Sequence, residues 1–423
     1  MAMKSALVAF SAFAGMPANV MATMEQATVG SRARLYVPGY RSLEAIEDNT
    51  LLMDMHGVSR VPKSWRGDRT LLTMWDLQAD ETVPVRAAFP VGGHGVSLLP
   101  QLGVGVFAGM ESDSLVGFDL STMDLAAFAR PTKSGWLFGG HAVSMPDGLH
   151  VAVAERHPAL PRSGDTARDR QLLCGRIVVR DASTLSPVGE FSSYGIRPHE
   201  IQITADGLHM VIACYGSTVN NASDAMSLLP DVIAPGIAVV EIASGKLVTW
   251  IDGADPAAEL RHLVAPRLDR IFGITARLAL SGSPQAVGLP PDPVALEGIS
   301  FLSSPPIQVK DRHAIRLMNE QPSLSRQGLS MAYDPDHDEV LATFPASHVV
   351  VVFNGASGEV TKVIHTLALG LQWPCGIARS PDGRRWYVTG YWNGLLTLTA
   401  GEHSIESITD RPVWWGHSHI AIG

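Results

Sequence analysis

The sequence predicts an all-β chain folded as a seven-bladed β-propeller of four-stranded antiparallel blades, with the ring closed by N- and C-terminal strands. Three observations carry this prediction. First, a His or Cys followed by a short apolar strand and a turn recurs at blade-sized intervals: Gly93-His94-Gly95-Val96-Ser97, Gly140-His141-Ala142-Val143-Ser144, Pro198-His199-Glu200-Ile201-Gln202, Arg261-His262-Leu263-Val264-Ala265 and Pro374-Cys375-Gly376-Ile377-Ala378. Three copies run on into Asp147-Gly148, Asp206-Gly207 and Asp382-Gly383, the turn chemistry that joins two antiparallel strands. Second, 46% hydrophobic content with 40 Gly and 28 Pro suits many short strands joined by tight turns. Third, strand-like segments at the two ends of the chain lack partners of their own.

Each blade reads as an inner strand, a turn, a second strand rich in Val and aromatics, a third strand, and an outer strand. Inner strands begin near 94, 141, 199, 262, 329, 375 and 419. Second strands fall at Val104 to Ala108, His150 to Ala154, His209 to Cys214 and Val340 to Phe344; third strands at Ser114 to Asp119, Arg176 to Asp181, Gly236 to Glu241 and His348 to Asn354. Four strands at a period of roughly 40 to 60 residues is the signature of a propeller blade. Longer spacings place insertions at 156 to 173, 216 to 233 and 279 to 306, rich in Pro, Ser and Asp, which read as solvent-exposed excursions or a lid over one face. The terminal strand His419-Ile420-Ala421-Ile422 has nothing after it, while Arg34 to Val37 and Thr70 to Asp76 have no inner strand before them. Together they complete a seventh blade, which removes the two sheet edges an open array would expose.

With 32 Lys+Arg against 41 Asp+Glu the net charge is −9, and no basic block tracks a phosphate backbone, so nucleic acid is excluded as a partner. The N-terminus runs Met1-Ala2-Met3-Lys4, then an apolar stretch from Ala6 to Met16, then Val20-Met21-Ala22. Residues 1–28 therefore read as a signal peptide for export to the periplasm or as a disordered tail, and 29–423 as the propeller. No other stretch has the length of a membrane span, and the mature chain is expected to be a soluble monomer.

In a propeller the inner strands run along the central axis, so one slot repeated in successive blades becomes a ring around one mouth of the channel. Slot by slot that ring is His94, His141, His199, His262, Leu329, Cys375 and either His417 or His419. A lone inner-strand His is most often structural; recurrence in one slot, when the whole chain has 15 His, points to a site. Imidazole and thiolate bind Zn, Cu, Fe and Ni, so a transition metal at the axis is expected, with Cu or Fe preferred because the donors outnumber those of a four-coordinate Zn site. Glu200 should point to the opposite sheet face from His199, with Arg197 and Arg261 just outside the ring. These three either orient the imidazoles, bind an anionic ligand, or simply pair between blades. Of the three cysteines, Cys174 and Cys214 fall in neighbouring blades and are either paired or buried free thiols.

The runs Phe138-Gly139-Gly140-His141-Ala142-Val143 to Glu155, Tyr194-Gly195-Ile196-Arg197-Pro198-His199-Glu200-Ile201 to Asp206-Gly207, Leu229 to Gly236 and Arg261-His262-Leu263 resemble a bacterial propeller family, domain of unknown function 1513. The similarity spans roughly residues 33 to 422. It implies an exported seven-bladed propeller related to the quinoprotein-like and YVTN-repeat groups, and a periplasmic role in metal handling beside imelysin-type or di-haem proteins of iron acquisition. The chain departs from the family in lacking a twin-arginine signal and in having a longer segment before its first ring His. The expected function is a periplasmic propeller holding Cu or Fe through the His/Cys ring, in metal uptake or a redox step. The alternatives are a metal-free scaffold docking partners of the same pathway, and a hydrolase or lyase using the ring as acid and base, although no nucleophile and base are visibly paired.

Overall fold

The computed structural model describes residues 33–39, 70–77, 85–159, 167–216, 234–280, 299–391, 394–409 and 419–423. Seven antiparallel sheets follow one another along the chain, six of four strands and one of five. Numbered by their inner strands, blade 1 starts at Gly93–Leu99, blade 2 at Leu137–Ser144, blade 3 at Pro198–Ile203, blade 4 at Glu259–Arg267, blade 5 at Met331–Asp334 and blade 6 at Pro374–Arg379. Blade 7 combines the two ends of the chain: Ala421–Ile422 pairs with Arg34–Pro38, which pairs with Thr70–Asp76 and then Val85–Phe89. Only Leu35↔Ile422 and Tyr36↔Ala421 form its inner ladder, reinforced by Arg34 N–H donating to the Gly423 carbonyl at 2.7 Å. The ring closes as the sequence requires.

Second and third strands are continuous apolar runs because both of their faces are buried, one against each neighbouring blade. In His209–Cys214, Met210, Ile212 and Cys214 pack toward blade 2, while Val211 and Ala213 pack toward blade 4. Val349–Asn354 divides the same way, with Val349, Val351 and Phe353 on one side and Val350 and Val352 on the other. Outer strands have one wet face, as in the largely exposed Leu125–Ala129. Asp side chains close the turns. Asp147 Oδ1 accepts from the amides of Leu149 and His150, and Asp206 and Asp382 do the same for Leu208 and Arg384.

The insertions carry more structure than loops. A short helix, Ala167–Leu172, lies in the 156–173 segment, and Ile299–Leu302 returns as a fifth strand beside Arg270–Leu280. Residues 160–166, 217–233 and 281–298 lie outside the described residues, and so does all of 1–28, the expected signal peptide or tail. Among the described residues no helix is long and apolar enough to cross a membrane. All three cysteines are free thiols.

Blade 2 also contains a buried ionic cluster. Glu155, with no exposed surface, accepts from Arg176 Nε at 3.1 Å, from Arg180 at 2.8 Å and from the Thr132 hydroxyl at 3.0 Å. Its carboxylate is the partner that both guanidiniums share. Glu155→Ala leaves two buried cations under-paired, a change that costs about 3–5 kcal/mol. Chemical denaturation should show a loss of that size; a loss under about 1 kcal/mol contradicts the ionic account.

Candidate metal centre

Five imidazoles converge at one mouth of the channel. His94, His141, His199 and His262 come from the starts of the inner strands of blades 1 to 4, and His419 from the segment entering the inner strand of blade 7. Ring centroids of neighbouring pairs lie from 4.2 Å (His262 and His419) to 5.9 Å (His94 and His262) apart, with His141 and His199 at 4.5 Å. Two overlapping sets bring one ligand atom from each member within 4.8 Å of the others: His94, His141, His199 and His262, and His141, Glu200, His262 and His419. His417 lies outside the described residues.

The convergence depends on an irregularity in the strands. The pairing of inner and second strands shifts register between Gly93 and Gly95, Phe138 and Ala142, Pro198 and Ile201, Leu260 and His262, and Pro374 and Ile377. A bulge of this kind re-aims side chains that strict alternation would send to opposite faces. This overturns the expected placement of Glu200. Instead of pointing away from His199, its carboxyl lies within the cluster, Oε2 at 3.4 Å from His141 Nδ1 and 3.3 Å from His262 Nδ1. Glycine makes the room. A Cβ on Gly140, whose φ is +106°, would stand 2.9 Å from His199 Cε1 and 3.1 Å from His94 Cδ2, and one on Gly95 would stand 2.9 Å from His141 Nδ1.

The Nδ1 atoms are held from outside. Beyond the two on Glu200, His419 Nδ1 meets the Ser330 hydroxyl at 3.0 Å, and His199 Nδ1 meets the Gly139 carbonyl. Arg156 also reaches His199 Nδ1 at 3.1 Å, but its guanidinium has acceptors of its own in Pro198 O, Gly139 O and Glu111. The Gly139 contact therefore assigns the proton to Nδ1 of His199. Nε2 is then the free donor, and the Nε2 atoms of His141, His199 and His419 are buried with no hydrogen-bond partner in the protein. Each such orphan costs about 1–3 kcal/mol. Nδ1 fixed by oxygen with Nε2 left open is the arrangement that metal-binding histidines use.

Burial keeps the imidazoles neutral. It holds His141 and His199 well below the ordinary histidine range, helped by neighbouring imidazoles and by Arg156, and brings His419 down to about 3. The same burial pushes the Glu200 carboxyl up to about 8. Cation binding favours the ionised form of Glu200 and needs no imidazole to lose a proton.

Cys375 occupies the ring slot of blade 6 but is not in either set. Its thiol ends one bond beyond Cβ and donates to the Trp373 carbonyl at 3.1 Å, packed with Ala276, Leu329 and Tyr391. Blades 5 and 6 thus face the axis with an apolar wall, from which Ser330 reaches His419. Arg197 pairs with Glu111, and Arg261 with Glu259 at 2.6 Å. Ser330, Arg156, Glu111 and Tyr215 were not singled out from sequence. Ser330 follows the slot residue Leu329 and Tyr215 ends a second strand, positions that repeat alignment across blades exposes; Glu111, on a short turn, carries no such signal.

The family model described as "Protein of unknown function (DUF1513)" matches residues 87–421. The chain belongs to that family. Among solved structures, Kuenenia stuttgartiensis hydrazine synthase is similar to this DUF1513 chain with a TM-score of 0.50 and 16% identity, over 81% of this chain and 90% of that one. A functionally unknown protein from Desulfotomaculum acetoxidans gives 0.47 and 11% over 74% and 84%, and the C-terminal WD40 domain of Sif2 gives 0.45 and 8% over 75% and 73%. The first agrees with the propeller fold. None of the curated proteins compared matches the DUF1513 chain.

Two predictions follow from the geometry. His419 titrates near 3 in the fold and near 6.5 when exposed, so between those values the unfolded chain binds the extra proton. The imidazole contribution to the stability of the metal-free DUF1513 propeller is then fully present above pH 6.5 and is lost as the pH falls toward 3; Glu200, raised to about 8, acts in the opposite sense up to that pH, as one group against three imidazoles. Denaturation curves at pH 7 and pH 5 should show the loss, and His419→Gln should make the two curves more alike. Gly140→Ala should disperse the imidazoles through steric conflict and left-handed strain while the blades survive, visible as shifted histidine ring resonances with unchanged far-ultraviolet dichroism.

Proposed function

We propose that this DUF1513 propeller holds one first-row transition metal ion at the ring mouth, through His94, His141, His199 and His262, with Glu200 and His419 beside them. The observation that carries the reading is the group of buried Nε2 atoms left without partners while their Nδ1 atoms are fixed. Ligands at about 2.1 Å from an ion stand about 3.4 Å apart in a tetrahedron and 4.2 Å apart across an octahedron. Within the set His94, His141, His199 and His262 the ligand atoms stand within 4.8 Å of one another, and small rotations of the rings close them to those values.

With Cys375 directed elsewhere, the donors are nitrogen and oxygen. That favours Fe(II) or Cu(II) over Cu(I), which seeks thiolate or thioether. The sites of His94, Glu200 and the apolar wall of blades 5 and 6 surround the ion with a mostly dry shell, suited to holding it during uptake or to tuning a redox step. Periplasmic residence, and action beside imelysin-type or di-haem proteins, belong to the same proposal. They rest on the apolar N-terminal stretch and on the family resemblance.

Elemental analysis of the purified protein decides the reading. About one equivalent of Fe or Cu should survive dialysis, fall by at least tenfold in His141→Ala and His199→Ala, and persist in Cys375→Ser. Protein that folds and takes up no metal from either ion in excess refutes the site and leaves the propeller as a docking scaffold. Loss of metal in Cys375→Ser refutes the nitrogen and oxygen donor set.

A further inference from the structure

Beside the imidazoles, the same mouth gathers three guanidiniums around one aromatic ring. Arg156 Cζ lies 4.7 Å from the centre of the Tyr215 ring and Arg261 Cζ 5.8 Å from it, and Tyr215 packs on His199 at 4.6 Å. Arg156 and Arg197 converge on a single oxygen, Oε1 of Glu111. Arg156 and Arg197 are buried, as is Tyr215. Here three arginines face two carboxylates, Glu111 and Glu259, and a divalent cation among the imidazoles, with Glu200 ionised, adds a net charge of one more. A buried excess of this sign is costly until an anion joins it.

The backbone supplies a second observation. Arg197 sits at φ +56°, in the left-handed region, directly before Pro198, where both the side chain and the following proline oppose it. The equivalent residue of blade 2 is Gly140, at φ +106°. The conformation recurs at Trp373, φ +53°, before Pro374 of blade 6, so it belongs to the bulged slot, and in blade 3 the side chain that it brings to the mouth is a guanidinium. Glu111, at φ +54°, is similarly constrained, yet its side chain is 42% exposed. It enters from solvent as a carboxylate held by two arginines.

We propose that the ring mouth binds a small carboxylate ligand, which takes the place of the Glu111 carboxylate on Arg156 and Arg197 next to the imidazole cluster. Glu111 acts as the resident stand-in. The carboxylate fits because two guanidiniums already converge on one carboxylate oxygen, and Tyr215 with Arg261 forms the wall behind it. This extends the metal reading by naming the co-ligand class such an ion would meet, and it is tested on metal-free protein so that the two readings fail separately.

The probe is oxalate, titrated calorimetrically into the metal-free full chain. Wild type should bind it, Glu111→Gln should bind it about tenfold tighter through loss of the internal competitor, and Arg197→Gly should bind it at least about tenfold more weakly. Glycine suits the left-handed slot, so Arg197→Gly should melt at or above the wild-type temperature, and its metal content after loading should match wild type. Absence of oxalate binding by folded wild type overturns the proposal, and so does unchanged affinity in either variant. Loss of metal binding with oxalate binding intact would remove the metal reading and leave the carboxylate site standing.

Discussion

The site rests on a break in β-sheet regularity at the start of the inner strands. Regular alternation allows each strand to send only every second side chain toward the axis, which would split His199 from Glu200. The register shifts in blades 1, 2, 3, 4 and 6 release that constraint where the chain enters the channel. Glycine at 95 and 140 then lets rings approach where any Cβ would collide. Bulge, glycine and sevenfold rotation act together: rotation places equivalent positions around one axis, the bulge turns their side chains inward, and glycine removes the atoms that would hold them apart.

Electrostatics runs counter to packing here. Apolar side chains between blades hold the ring together, with the second and third strands sandwiched on both faces. At the mouth the same exclusion of water suppresses the charge of His141, His199 and His419 and keeps the Glu200 carboxyl protonated well above its ordinary range. A cluster of neutral imidazoles beside a protonated acid is a poor way to stabilise a fold, because several nitrogens are denied hydrogen bonds. It is a good way to prepare lone pairs for a cation, since neither desolvation nor reorientation then remains to be supplied at binding.

How much of this was legible in the sequence follows from which constraints are local. The blades were legible because Asp147-Gly148, Asp206-Gly207 and Asp382-Gly383 mark turns by short-range chemistry, and because strands buried on both faces appear as unbroken apolar runs. The imidazole cluster was legible because repetition in one slot is a rotational statement. Cys375 passed the same slot test and lies elsewhere, since a slot fixes the position of a Cα and not the reach of the side chain: imidazole spans the gap to its neighbours, while the shorter thiol turns back to Trp373. Glu200 was assigned to the wrong face because a bulge leaves no direct mark in sequence, although the glycines flanking His94 and His141 hinted at crowding. Glu111 and Arg156 were invisible because their role comes from contacts between blades 1, 2 and 3, which no single repeat contains.

One ligand has a special place in the order of the chain. His94, His141, His199 and His262 lie on blades completed by the time residue 316 has been laid down, whereas His419 arrives with the short strand that pairs with Leu35 and Tyr36 to seal the ring. During synthesis, then, a full set of donors does not exist until every other blade is in place. Until that strand is made, the cluster lacks its fifth imidazole and the contact of that imidazole with Ser330. The fold thereby ties assembly of the imidazole cluster to ring closure, through the pairing of Leu35 with Ile422 and Tyr36 with Ala421.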